Sequence, residues 1–150
     1  MRERQLVDPE NKYDFGGPLK VDTVALQLIE LLPGAILERT RDVIQFELRE
    51  EPGLVLLVTA EAIEFRLPTV EWTRGSHGPV PSSRYWKRVR VPGSGQLNMK
   101  RMETLIDEAR SVRAAEFVTC RFCEKDFPPE HGHDDDVCHG CAERHLGVVH

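Results

Sequence analysis

Four cysteines, all between residues 120 and 141, constrain this chain more than any other feature. They stand as Cys120-x-x-Cys123, fourteen residues, then Cys138-x-x-Cys141, and the 119 residues before them hold none. Disulfides staple small secreted domains along their length and persist in oxidising compartments. Two tight pairs confined to one stretch point instead to a metal site. Each C-x-x-C turn aims two sulfurs at one point, and zinc takes four such ligands in a tetrahedron. Cys120, Cys123, Cys138 and Cys141 are therefore the candidate ligands of one structural Zn²⁺. A catalytic zinc keeps a position open for water, and four thiolates leave none.

The residues around the pairs resemble a treble-clef zinc finger. Glu116-Phe-Val-Thr-Cys-Arg-Phe-Cys123 has the character of a strand and knuckle, and Cys138-His-Gly-Cys-Ala-Glu-Arg-His-Leu-Gly147 that of a short helix carrying the second pair in its first turn. The resemblance covers about residues 117–150 and implies only the four metal ligands. A zinc ribbon, with the second pair on another hairpin, is the rival fold. Treble clefs serve nucleases, ribosomal proteins and adaptors alike, so the resemblance leaves function open.

Enzyme patterns in this segment are incomplete. Treble-clef nucleases typically add a His–Asn or His–His metal site, yet no Asn follows Asn98. A nucleotide deaminase pairs H-x-E or C-x-E with P-C-x-x-C, and Val137 precedes Cys138 here. Thiol redox motifs stand alone on a βαβ frame, which this chain lacks. Ser76, His77, Ser82 and Ser83 share a loop without a G-x-S-x-G elbow. His131, His133, His139, His145 and His150 read as solvent-facing side chains, with the loop 131–136 offering at most a weak second metal site.

The rest of the chain has the patterning of a helix-flanked sheet. Residues 1–20, with Pro9, Gly16, Gly17 and Pro18, carry no sustained period and read as a flexible arm. Val21, Val24, Ala25, Leu28, Leu31 and Leu32 place one face of a helix over about 22–32, capped by Asp22 or Thr23 and ended by Pro33-Gly34. Alternation then predicts strands over 43–48 and 62–67, a continuous apolar run predicts a central strand over 54–59, and 70–73 either extends the strand before it or stands alone. A Gly/Pro/Ser loop over 74–83 precedes a strand over 84–91. Asn98 caps a second helix whose stripe is Met102, Leu105, Ile106, Ala109 and Val112. Short connections favour an antiparallel meander. The expected fold is α+β: helix, antiparallel sheet of three to five strands and helix over 21–116, then the finger over 117–150.

Charge is uneven along the chain, whose formal net is −5. Residues 117–150 hold three Lys/Arg against seven Asp/Glu, whereas residues 84–113 hold eight against three. The second segment includes Arg84-Tyr-Trp-Lys-Arg-Val-Arg-Val91. With a strict period of two, Arg84, Trp86, Arg88 and Arg90 share a face suited to phosphates and a stacked base, or to an acidic partner. A solvated face on which the arginines stack against Trp86 accounts for the same pattern.

These observations favour a non-enzymatic zinc-binding protein that acts as an interaction, adaptor or regulatory module with a protein partner. Nucleic-acid binding through the basic strand is the alternative, and an enzyme with a site on the sheet domain is a third reading to which no residues attach. The longest apolar run, Leu54 to Val58, is far below the roughly 20 residues of a membrane span, so no membrane partner is expected. The first residues have no apolar h-region, which sets the expectation of a cytoplasmic protein.

Overall fold

The computed structural model describes residues 19–72, 79–134 and 136–147. Helix α1 (Lys20–Ile29) is followed by five strands, β1 (Ile36–Arg39), β2 (Ile44–Leu48), β3 (Leu54–Val58), β4 (Ala62–Trp72) and β5 (Pro79–Arg90), then helix α2 (Met99–Ala114). The strands form one antiparallel sheet in chain order, β1-β2-β3-β4-β5, each hydrogen-bonded to the next. The α+β class and the meander are as expected. No helix among the described residues is long and apolar enough to cross a membrane.

One face of the sheet makes the core. Ile44, Phe46 and Leu48 on β2, Leu54, Leu56 and Val58 on β3, and Ile63, Phe65 and Leu67 on β4 alternate with residues of the opposite face, so all nine point the same way. The register aligns Phe46 with Leu56 and Leu56 with Phe65 across three strands. Val21, Val24, Ala25 and Leu28 from α1, and Met102, Leu105, Ile106 and Ala109 from α2, cover this layer. Gln27 ties α1 to the chain entering α2: its Nε2 donates to the Gly95 carbonyl at 2.8 Å and its Oε1 accepts from the Leu97 amide at 2.9 Å.

Helix α1 starts and stops earlier than its apolar stripe implied. Leu19 is the cap residue and its carbonyl accepts from the Asp22 amide, so Asp22 and Thr23 lie inside the first turn rather than at its cap. Asp22 still favours that end by meeting the helix dipole, and it pairs with Arg39 on β1. At the other end Pro33 disfavours helical geometry at the residue before it. Leu31 and Leu32 bond back three residues, to Leu28 and Ile29, and Leu32 packs into the core from a turn.

Strand β1 was not legible. Its four residues are all exposed and show no alternation, and it exists because it pairs with β2. Strand β4 runs unbroken through Pro68. Beyond Arg66 it has lost β3 as a neighbour and pairs only with β5, so the missing N–H of Pro68 faces no partner strand there. Pro68 also explains Gly53: that residue has φ +86°, and a Cβ on it would come within 2.8 Å of Pro68 Cγ. The expected loop over 74–83 is shorter, because Pro79 to Ser83 pair with Trp72 to Pro68 as the start of β5. Ser76 and His77 lie outside the described residues, as do residues 1–18 of the arm expected over 1–20, whose last two residues instead cap and begin α1. Ser83 is structural: its hydroxyl accepts from Arg66 Nε at 2.8 Å.

Asn98 caps α2 as expected, accepting from the Arg101 amide at 3.0 Å. The stripe, however, ends differently. Val112 is 38% exposed, while Arg113 is 4% exposed and faces the C-terminal segment. There Arg113 reaches Glu116 at 2.8 Å and Glu130 at 2.7 Å, and its guanidinium lies 5.3 Å from the Phe117 ring centre. Glu116 also pairs with Arg84 of β5. The short connection after α2 thus becomes a charged hinge pin between sheet and finger.

Burial raises the pKa of Glu116, but hydrogen bonds from Arg113 and Arg84, and their charges, outweigh it and hold the carboxyl below its ordinary value. A lowered folded-state pKa means stability that is complete above the unfolded carboxylate value of about 4.3 and lost as pH falls through the folded value. The melting-temperature gap between wild type and Glu116→Gln should hold steady above about pH 5 and close at more acid pH. A gap that stays constant into strong acid would contradict this role.

Candidate metal centre

The C-terminal segment folds around its sulfurs. Strands β6 (Val118–Thr119) and β7 (Asp126–Phe127) form a hairpin whose turn carries Cys120 and Cys123. A 3-10 turn (Pro129–His131) leads to a second hairpin, β8 (Gly132–Asp134) and β9 (Val137–Cys138), and Cys138 caps helix α3 (His139–Leu146). Cys141 sits in the first turn of α3. This order, hairpin, hairpin, helix, has the second C-x-x-C opening a helix, which is the arrangement expected from the resemblance. A small core of Cys120, Phe127, Val137, Cys141 and Ala142 is separate from that of the sheet domain.

The four Sγ atoms lie within 4.8 Å of one another, and the Cys123–Cys138 pair is 4.0 Å apart. Cys120 and Cys141 are fully buried, while Cys123 and Cys138 are half-buried. Among the described residues this is the one group of metal-ligating side chains drawn together. All four can hold a metal ion.

The knuckle is organised by backbone. Cys120 N–H donates to the Lys125 carbonyl at 2.9 Å, Glu124 N–H to the Cys120 carbonyl at 2.9 Å, and Arg121 N–H to the Asp136 carbonyl at 2.8 Å, which joins the two hairpins. Burial opposes charge on Cys120, yet backbone N–H groups of Cys123, Cys138 and Phe122 bond its sulfur and hold the thiol at about 6. Cys141 is pushed up to about 12, first by burial and then by the neighbouring sulfurs of Cys120, Cys138 and Cys123. Without a cation the cluster therefore gathers negative charge on one sulfur and resists a second. A divalent ion removes that conflict, because a coordinating thiol is deprotonated outright.

Two supporting residues escaped the sequence reading. Arg144 Nη2 donates to Cys141 Sγ at 3.1 Å, a contact set by their three-residue spacing on α3. Glu124 has φ +61°, the left-handed region, immediately after the first pair. A side chain there costs about 1–2 kcal/mol, and glycine returns part of this as unfolded-chain entropy. Glu124→Gly should therefore tighten metal binding by about two- to fivefold in competition with a chromophoric chelator, a net gain of about 0.5–1 kcal/mol. Unchanged or weaker binding would show that the Glu124 side chain compensates for its backbone.

Among the described residues no histidine joins the sulfur cluster. His139 Nε2 bonds the Gly132 carbonyl at 3.0 Å, and His145 stacks on Phe122 with ring centres 4.5 Å apart. Of the loop 131–136, the side chains of residues 133–135 fall outside the described residues, and Asp136 pairs with Arg121 at 3.6 Å. His150 also lies outside them.

The basic strand is built differently from the expected single face. Phe65 is opposite Lys87 and Arg66 opposite Tyr85, so Trp86 is an extra residue, a β-bulge. Period-two counting fails across it. Arg88 and Arg90, opposite Glu64 and Ala62, share the outer face with Tyr85, which is 56% exposed. Arg84 is opposite the core residue Leu67 and turns to Glu116. Trp86 packs on the core, edge-on to Phe65 at 6.2 Å, and its ring is capped by Lys87 Nζ at 4.8 Å rather than by arginine. The quartet Arg84, Trp86, Arg88 and Arg90 therefore does not form one surface.

No family model matches this chain, and no curated protein or solved structure matches it.

Proposed function

We propose that the chain is a non-enzymatic zinc protein in which one structural Zn²⁺ holds a treble-clef-like finger against an α+β domain, the two together acting as an interaction module. The sulfur cluster carries this reading. A zinc tetrahedron with bonds near 2.3 Å has sulfur–sulfur edges of roughly 3.8 Å, close to the 4.0 Å between Cys123 and Cys138. Four thiolates of this kind favour Zn²⁺ over hard cations. They fill its coordination sphere, so the ion supplies stability rather than a reactive water. The second pair opening α3 favours a treble clef over a zinc ribbon. Elemental analysis of protein purified without chelator should find one equivalent of zinc per chain. Metal-free, folded protein with crosslinked thiols would overturn the reading.

A partner protein fits the finger better than a nucleic acid does. Its seven acidic residues outnumber three basic ones, and zinc bound to four thiolates adds a net of about −2 relative to neutral thiols. A nucleic-acid reading rests on Arg88 and Arg90, exposed beside Tyr85 and without an ion pair among the described residues. It calls for binding that weakens steeply with salt and is lost in Arg88→Glu. A shift assay with no salt-sensitive complex would remove it.

A further inference from the structure

We propose that the free edge of β5, with the groove between it and α2, takes an extended peptide of a partner protein as a sixth strand, acidic side chains on its outer face and apolar ones on its inner face. This rests on the interaction reading above and names the site and the chemistry of the partner.

The edge is open. Among the described residues, strand β5 is the last of the sheet and pairs only with β4. No backbone hydrogen bond joins Pro79–Arg90 to anything outside the sheet among the described residues. An edge strand directs alternate backbone groups away from its one neighbour, and from Arg84 onward no described group hydrogen-bonds to that side of β5. The opposite edge, β1, is only four residues long, and its Glu38 and Arg39 cancel in charge. Strand β5 has twelve residues, with Arg84, Lys87, Arg88 and Arg90 and no acid. Pro79 and Pro81 blunt its beginning and leave the stretch from Ser82 onward.

Charge selects the occupant. A second copy of β5 would set arginines against arginines, because directly opposed side chains on one face stand about 5 Å apart. A strand with acids two positions apart would instead meet Arg88 and Arg90 in turn. On the other face the bulge turns Trp86 toward α2. There Trp86 and Val112, with Thr104, Asp107, Glu108 and Ser111, line a groove of about 430 Å³. Its apolar floor suits an apolar side chain of the incoming strand. Its carboxylates, Asp107 and Glu108, turn away an acidic one. Main-chain bonding gives such strand addition its affinity, and pockets for alternate side chains give specificity. A nucleic acid has no amide edge to match and would bring phosphates toward Asp107 and Glu108.

The test uses the full zinc-loaded chain and a fluorescein-labelled peptide of alternating glutamate and valine. Controls are a lysine–valine peptide, a glutamate–valine peptide with every second valine replaced by proline, and oligo-dT. Fluorescence anisotropy should give micromolar binding for the first, at least about tenfold weaker binding for the controls, and a loss of about tenfold or more in the Arg88→Glu/Arg90→Glu double variant. Both arginines are exposed, and an unchanged melting temperature shows the variant is folded. Hydrogen exchange should slow at β5 amides on binding. Equal binding of the proline peptide, tighter binding of oligo-dT, protection elsewhere, or no binding up to roughly 1 mM would each overturn the site. A partner whose footprint falls on the finger would remove this site while leaving the interaction reading in place.

Discussion

Cys141→Ala should abolish stoichiometric zinc binding and unfold the segment from Val118 to Gly147 while the sheet domain stays folded. The buried core of that segment is Phe127, Val137, Ala142 and two of the ligands themselves. Chains below about 40 residues seldom bury enough apolar surface to stand alone and usually need a metal, disulfide or partner. Structural zinc contributes apparent free energies of about 10–16 kcal/mol in small fingers, far more than this cluster of side chains can. Loss of one buried thiolate also leaves three sulfurs competing for charge, with Arg144 deprived of its acceptor. Amide exchange should show α3 and both hairpins losing protection to the level of unfolded chain, with β2, β3 and β4 unaltered. Excess chelator applied to wild type should reproduce the pattern. Full protection of α3 in metal-free protein would mean that packing alone holds the finger.

The second large effect is expected at the centre of the sheet. Phe65 is completely buried, lies in line with Leu56 and Phe46, and supports the edge of Trp86. Phe65→Ala should destabilise the sheet domain by about 3–5 kcal/mol, as lost transfer energy and a residual cavity act together. Urea unfolding followed by far-UV circular dichroism would measure it. Leu26, 61% exposed on α1, provides the contrast, since Leu26→Ala should stay within about 0.5 kcal/mol. A cost below about 1 kcal/mol at Phe65 would mean that the facing helices close the cavity, and the packing described here would then be far looser than its burial implies. The finger should keep its metal-binding capacity in both variants, because its core is separate.

Much of this architecture could be read from local spacing. The three- and four-residue steps of α1 and α2, the Asn98 cap, the alternation in β2 and the first half of β4, and the unbroken apolar run of β3 each belong to one segment alone. The cysteine pairs are the strongest case. Two short turns each preset two ligands, and any loop able to return the second pair completes the cluster. The donor set was therefore visible without coordinates.

What escaped depended on neighbours. Strand β1 is held by β2 and has no pattern of its own. Pro68 sits within a strand because β3 ends beside it. One extra residue, Trp86, sends Arg84 to Glu116 in the connection before the finger and leaves Arg88 and Arg90 on the far face. Arg113 replaces Val112 at the end of the α2 stripe because Glu116 and Glu130 surround its guanidinium. Periodicity records which way a side chain points when its element is regular. Only the pairing of strands and the arrival of a distant carboxylate decide where that regularity breaks, and here those breaks shape the surface open to a partner.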